Sequence, residues 1–303
     1  MPWEGSLQTS IQFAAQDIVG ESVIWAAHEQ ALYWVDIVGK RIHRLEPESG
    51  RHDAWPAPDF PTSIGLRENG GFIVGLCREV CFWCPDSAFE PFVVPEPDLP
   101  ENRLNEGRVA PDGSFWVSTM QNNLNPDGTP REMTGRSGAI YRIDADGSVM
   151  QLTPREYGIT NTMGWTGGNR FLFADTPQNE IYSFAYDPQT KRLSDRRTIV
   201  KGFARGLPDG SCMDAEDTLW NCRVVGGASI ARFTPRGELL ALVELPVSWP
   251  TSCTFGGPDL STLYVTSARF TMTPDHLAAH PIEGSLLAIA DAGVGISEPK
   301  FAG

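Results

Sequence analysis

The sequence predicts an all-β protein: a six-bladed β-propeller with four antiparallel strands per blade, built as a single domain over residues 1–303. Three observations predict it. An aromatic-rich strand pattern recurs at Tyr33, Phe72, Phe115, Phe171, Leu219 and Leu263, about 40 to 55 residues apart, the spacing of propeller blades. Each copy has a shorter strand pattern before it and two after it, with turn residues between them. Gly 30 and Pro 24 provide many turns, while Trp 9 and Phe 15 suit broad sheet packing.

In the first repeat, Ser22-Val23-Ile24-Trp25 predicts the opening strand and Gln30-Ala31-Leu32-Tyr33-Trp34-Val35-Asp36 the second. Third strands are predicted at 41–45, 139–143, 180–184 and 229–233, each leading to a turn and a fourth strand. The stretch Ile11-Gln12-Phe13-Ala14-Ala15 precedes the first repeat without a partner there. Its expected partner is the last blade, around Ser285-Leu286-Leu287-Ala288-Ile289, which closes the ring and protects its edges. Two irregularities stand out. Residues 121–137 form a long insertion rich in Asn, Pro and Gly, the kind of loop that often carries function. Thr273 followed by Pro274 predicts a short helix with Thr273 as its N-cap.

Composition narrows the functional classes. Hydrophobic content of 41% and charged content of 20% describe a globular protein with a sizeable core. The net charge of -14, without a Lys/Arg cluster, argues against nucleic acid and anionic membrane as partners. Residues 1–10 lack a basic segment followed by an apolar one, and no run is long and apolar enough to span a bilayer. Six cysteines in so long a chain do not suggest a disulfide scaffold. The expectation is a cytoplasmic protein with reduced thiols, monomeric or weakly oligomeric, acting on a small molecule.

Four polar residues begin hydrophobic strand patterns in different repeats: Glu21, Asn105, Asn161 and Asp209. First strands of repeats are normally the most buried, so these residues are out of place there. If the ring closes, their side chains meet near its axis, and converging oxygen ligands suit a hard divalent cation. Taken singly, Asn161 and Asp209 read equally well as turn or cap residues. Glu21 is harder to assign to local structure, because Glu favours neither turns nor strands.

Ordered motifs extend this reading. They are Gly20-Glu21-Ser22-Val23-Ile24-Trp25, Leu32-Tyr33-Trp34-Val35-Asp36-Ile37, Arg103-Leu104-Asn105-Glu106-Gly107, Phe115-Trp116-Val117-Ser118-Thr119-Met120, Phe173-Ala174-Asp175-Thr176, Leu207-Pro208-Asp209-Gly210 and Phe255-Gly256-Gly257-Pro258-Asp259-Leu260. Together, from about residue 17 to 290, the chain resembles the regucalcin (senescence marker protein)/gluconolactonase/luciferin-regenerating enzyme family of six-bladed propellers. The resemblance implies one divalent metal at the mouth of the central channel, held by Glu21, Asn161 and Asp209. It also implies that Arg103, Asn105 and Asn123 hold the substrate. Taken alone, Arg103 reads as a surface ion pair with Glu101 or Glu106.

Three positions depart from the family pattern: Glu106 in place of Asp, Thr162 in place of Gly, and Asn123 where some relatives are acidic. Thr162 is expected to be unable to take the left-handed conformation a glycine would. Asn123 bears on substrate preference.

The implied reaction is hydrolysis of a sugar lactone to its aldonic acid. The metal polarises the carbonyl, and either Asp209 or metal-bound hydroxide activates water. Oxygen and amide ligands suit Ca²⁺, Mg²⁺ or Mn²⁺, with Zn²⁺ and Fe²⁺ also admissible. The alternatives are a metal-dependent esterase or phosphotriesterase on the same fold, or a non-catalytic metal-binding scaffold. Other signals carry less. Cys77, Cys81 and Cys84 lack a fourth ligand for zinc or an iron–sulfur cluster and read as buried thiols. His276 and His280 have no Glu between them for zinc-protease chemistry and read as a surface helix.

Overall fold

A computed structural model of the protein describes residues 7–303. Of the N-terminal segment read above, residues 1–6 lie outside the described residues.

The strands group into six sheets. Strand β1 (Thr9–Phe13) precedes blade one, which comprises β2 (Gly20–Ala26), β3 (Ala31–Asp36), β4 (Arg41–Leu45) and β5 (His52–Pro56). Blade two is β6 (Ser63–Arg67), β7 (Phe72–Gly75), β8 (Val80–Trp83) and β9 (Glu90–Val93). Blade three is β10 (Asn102–Val109), β11 (Phe115–Gln121), β12 (Ile140–Ile143) and β13 (Val149–Gln151). Blade four is β14 (Thr160–Thr166), β15 (Arg170–Asp175), β16 (Glu180–Asp187) and β17 (Arg192–Lys201). Blade five is β18 (Leu207–Met213), β19 (Leu219–Val224), β20 (Ser229–Phe233) and β21 (Leu239–Glu244). Blade six contains β22 (Pro250–Gly256), β23 (Thr262–Ser267) and β24 (Leu286–Ile289); the final strand is β25 (Lys300–Phe301).

Burial explains the layering. All of β3 is buried, because its aromatic and aliphatic side chains pack against blades on both sides. All of β13 is exposed, at the rim. The recurrent tryptophan of the second strand is buried only because its indole N–H finds an acceptor: Trp34 donates to Asp17 Oδ2 at 2.7 Å, Trp116 to Ser114 Oγ at 2.9 Å and Trp220 to Asp214 Oδ2 at 2.8 Å.

The expected pairing of the N-terminal strand is present. β1 runs antiparallel to β24, with Thr9 opposite Ile289 and Ile11 opposite Leu287. Blade six is therefore completed by a strand from the other end of the chain. Phe13 stacks on His52 with centroids 4.2 Å apart, tying β1 to blade one as well. The helix expected after Thr273 is α1 (Pro274–Ala279), and the Thr273 side chain accepts from the His276 backbone N–H. All six cysteines are free, but Cys84 is exposed rather than buried as expected.

The sequence did not announce the path of the C-terminal tail. It crosses the ends of the inner strands: Gly295 bridges Asp214, Thr254 Oγ1 donates to Glu298 Oε1 at 2.8 Å, and β25 pairs in parallel with β6. Glu21, Asn105, Asn161 and Asp209 lie near the beginnings of inner strands, at the ends opposite those the tail crosses.

Candidate active site

The first strand of every blade but the second carries a register shift at the same level: between Glu21 and Ile24, Leu104 and Gly107, Asn161 and Met163, Pro208 and Ser211, and Pro250 and Cys253. A bulge leaves a residue unpaired and re-aims its side chain. Asn105 and Asp209 fall within two of these bulges, and Glu21 and Asn161 are the last paired residues before two others. Gly107 is required beside one of them, since a Cβ there would come within 2.5 Å of Ser63 Oγ.

Thr162 corrects the expectation made for it. Its φ is +60°, within the left-handed region, as is that of Ser22 at +51°. The conformation is costly for a β-branched residue, and its surroundings hold it: Thr162 Oγ1 donates to the Asp209 carbonyl at 2.6 Å and lies 2.9 Å from Ser211 Oγ. The residues after Glu21 and Asn161 thus turn the backbone as a glycine would.

A continuous hydrogen-bonded chain links the expected substrate side to the expected metal side. Arg103 Nε and Nη2 donate to Asn123 Oδ1 at 3.0 and 2.9 Å. Arg103 Nη1 donates to Asn105 Oδ1 at 2.8 Å and to the Leu104 carbonyl at 2.8 Å. Asn105 Nδ2 donates to Asn161 Oδ1 at 3.0 Å, and Asn161 Nδ2 to Thr176 Oγ1 at 2.8 Å. That last bond turns the Asn161 amide oxygen toward the site. The insertion delivers Asn123 to Arg103 and is tied down itself: Arg131 pairs with Glu101 at 2.7 Å, and Arg136 with buried Asp175 at 2.8 Å. Arg103 is therefore buried inside the site, paired with neither Glu101 nor Glu106.

The model of the SMP-30/Gluconolactonase/LRE-like region matches residues 19–269. The chain belongs to that family. It is 33% identical to a 6-deoxy-6-sulfogluconolactonase of Pseudomonas putida, over 94% of this chain and 96% of that protein. It is 32% identical to regucalcin of Xenopus laevis, over 94% of this chain and 95% of that one. A calcium-binding regucalcin structure from Agrobacterium tumefaciens superposes with a TM-score of 0.88 at 25% identity, covering 98% of each chain.

The electrostatics of this SMP-30/gluconolactonase family member are unusual for so acidic a protein. Burial, then the charges of Asp209 and Glu106, push the Glu21 carboxyl well above the usual carboxylate range; Arg103 pulls it back. Burial and then the charge of Glu106 raise Asp209 likewise. Burial draws the Arg103 guanidinium down to about 10. Glu106 is the residue whose place in the site sequence reasoning missed. Its buried carboxyl acts on both Glu21 and Asp209, while the Arg108 charge steadies it. The only signal was its adjacency to Asn105 and Gly107.

Among the described residues, no group of three or more His, Cys, Asp or Glu is placed to hold a metal ion. The expected set is smaller: two carboxylates and an amide oxygen. Its chemistry fits a hard dication. Such an ion relieves two carboxylates whose burial and neighbours disfavour ionisation, and three protein ligands leave positions open. A separate concavity of about 610 Å³, lined by residues including Trp165, Tyr186 and Asp217, involves none of the six candidate residues.

Proposed function

We propose that this lactonase-family protein hydrolyses a sugar lactone to its aldonic acid at the axial site. The observation that carries the reading is the hydrogen-bonded chain from Asn123 through Arg103 and Asn105 to Asn161, with Glu21 and Asp209 alongside. It supports a reading in which these donors orient the substrate beside a carboxylate base. The names of the relatives, a 6-deoxy-6-sulfogluconolactonase among them, support the substrate class.

In this reading Glu21, Asn161 and Asp209 hold one divalent ion, which when bound supplies Lewis-acid polarisation of the carbonyl. Arg103, Asn105 and Asn123 orient the lactone through its oxygens. The Asp209 carboxylate takes a proton from the attacking water as its oxygen bonds to the carbonyl carbon. The ring C–O bond then breaks, and the ring oxygen leaves as a hydroxyl with the proton Asp209 returns. The new acid ionises in solvent.

The test is to strip metal with a chelator, add back Ca²⁺, Mg²⁺, Mn²⁺, Zn²⁺ or Fe²⁺ singly, and follow acid release from five- and six-carbon aldonolactones. Turnover restored by at least one ion is expected. No acid release from any lactone with any ion rejects the reading.

A further inference from the structure

We propose that the preferred substrate is a lactone bearing an anionic substituent, such as a sulfonate, phosphate or carboxylate, and that Arg103 is the receptor for that charge. The proposal rests on the lactonase reading and names its substrate class.

The argument begins with what Arg103 lacks. It is 6% exposed, and its guanidinium donates only to neutral oxygens: Asn123 Oδ1, Asn105 Oδ1 and the Leu104 carbonyl. Among the described residues no carboxylate forms an ion pair with it, whereas buried Arg142 pairs with Asp112 and Asp144. A buried charge without a counter-ion is costly. Arg223 shares that lack, but it is 0% exposed, with Phe203 under its guanidinium. Arg103 instead touches two partly exposed side chains, Asn105 and Asn123.

The bonds Arg103 makes engage four of the five N–H groups a guanidinium carries, leaving one on Nη2 for a ligand. Asn123 supplies the second half of the argument. An acidic side chain there, accepting from both Nε and Nη2, would neutralise Arg103 and favour neutral sugars. The amide holds the guanidinium in place without cancelling its charge. Among carboxylates, Glu21 acts on Arg103 through its charge, and a bound divalent ion would occupy it. The low guanidinium value is consistent with a charge that is buried and unneutralised.

The test compares kcat/KM for glucono-1,5-lactone with that for its 6-deoxy-6-sulfo, 6-phospho and 6-carboxylate counterparts, using the ion that supports turnover. At least one anionic lactone is expected to lead the neutral one by about tenfold, the ratio that 1.4 kcal/mol of extra binding produces. Asn123→Asp, which supplies the missing counter-ion, and Arg103→Gln should each collapse that ratio toward one. Circular dichroism checks that both variants are folded, and the wild-type comparison stands without them. A neutral lactone turned over as fast as every anionic one overturns the proposal while leaving the lactonase reading intact. A ratio unchanged in both variants overturns the role of Arg103. If no lactone is hydrolysed, calorimetric binding of 6-deoxy-6-sulfogluconate against gluconate decides the anion preference alone, and equal affinities overturn it.

Discussion

At the scale of single residues, the site is built from side chains that its own backbone distorts to present. Asp209 lies at a bulge, and its carbonyl accepts from Thr162 Oγ1 and from Asn221 Nδ2 at 3.0 Å. Asp209→Asn keeps an oxygen that can bind a metal but removes the proposed base, so kcat should fall by about 10² to 10⁴. Steady-state kinetics check this, and retention of most turnover would assign the base elsewhere. Thr162→Val keeps the shape but deletes the hydroxyl that joins Asp209, Ser211 and Asn221. Those partners still bond one another, so losing the hydroxyl should cost about 0.5–1.5 kcal/mol. Thermal melts would show the loss, and kcat should drop as the Asp209 backbone loosens. Glu21, Asn105, Asn161 and Asp209 were legible in the sequence because a polar residue opening a buried strand conflicts with its surroundings. Glu106 was not legible: a residue between Asn105 and Gly107 reads as part of the same turn until folding places its carboxyl among the others. The left-handed Thr162 was also hidden, since propensity argues against it and only tertiary hydrogen bonds override that preference.

At the scale of elements, the strand repeat was readable because each blade has the same burial gradient, from inner strands buried on both faces to exposed outer ones. The period-two pattern and turn residues follow from that gradient. Strand β1 was legible as an unpaired pattern needing a partner, and β24 is that partner. Deleting residues 1–18 removes the outer strand of blade six and the Phe13–His52 stack. The expected loss is about 3 kcal/mol, lowering Tm by roughly 5 °C. An unchanged melting temperature would mean that β1 contributes nothing to closure. The insertion between β11 and β12 was recognisable as a long polar loop, but its anchoring was not. Gln121 Oε1 accepts from the Thr134 and Gly135 backbone at 2.7 and 2.8 Å, which folds the loop back on its own strand. Those bonds join residues whose approach depends on the whole loop's course.

At the scale of the whole molecule, the ring makes one site from distant segments. Binding of a divalent ion to the folded ring but not to the unfolded chain should raise stability by about 2.7 kcal/mol at a hundredfold excess over its Kd. Differential scanning calorimetry with and without chelator checks this; identical melts with every ion would argue against an axial metal. By itself the sequence determined the β class, the number of repeats, the family and which polar residues deserve attention. These depend on local periodicity, turn chemistry and ordered motifs, all written along the chain. Tertiary structure alone decided that five inner strands bulge at one level, that Glu106 joins Glu21 and Asp209, that Arg103 is buried without a carboxylate partner, and that the C-terminal tail crosses the far ends of inner strands. Each of these is a meeting of residues from different blades or a balance of burial against charge. Such meetings exist only once the ring has closed.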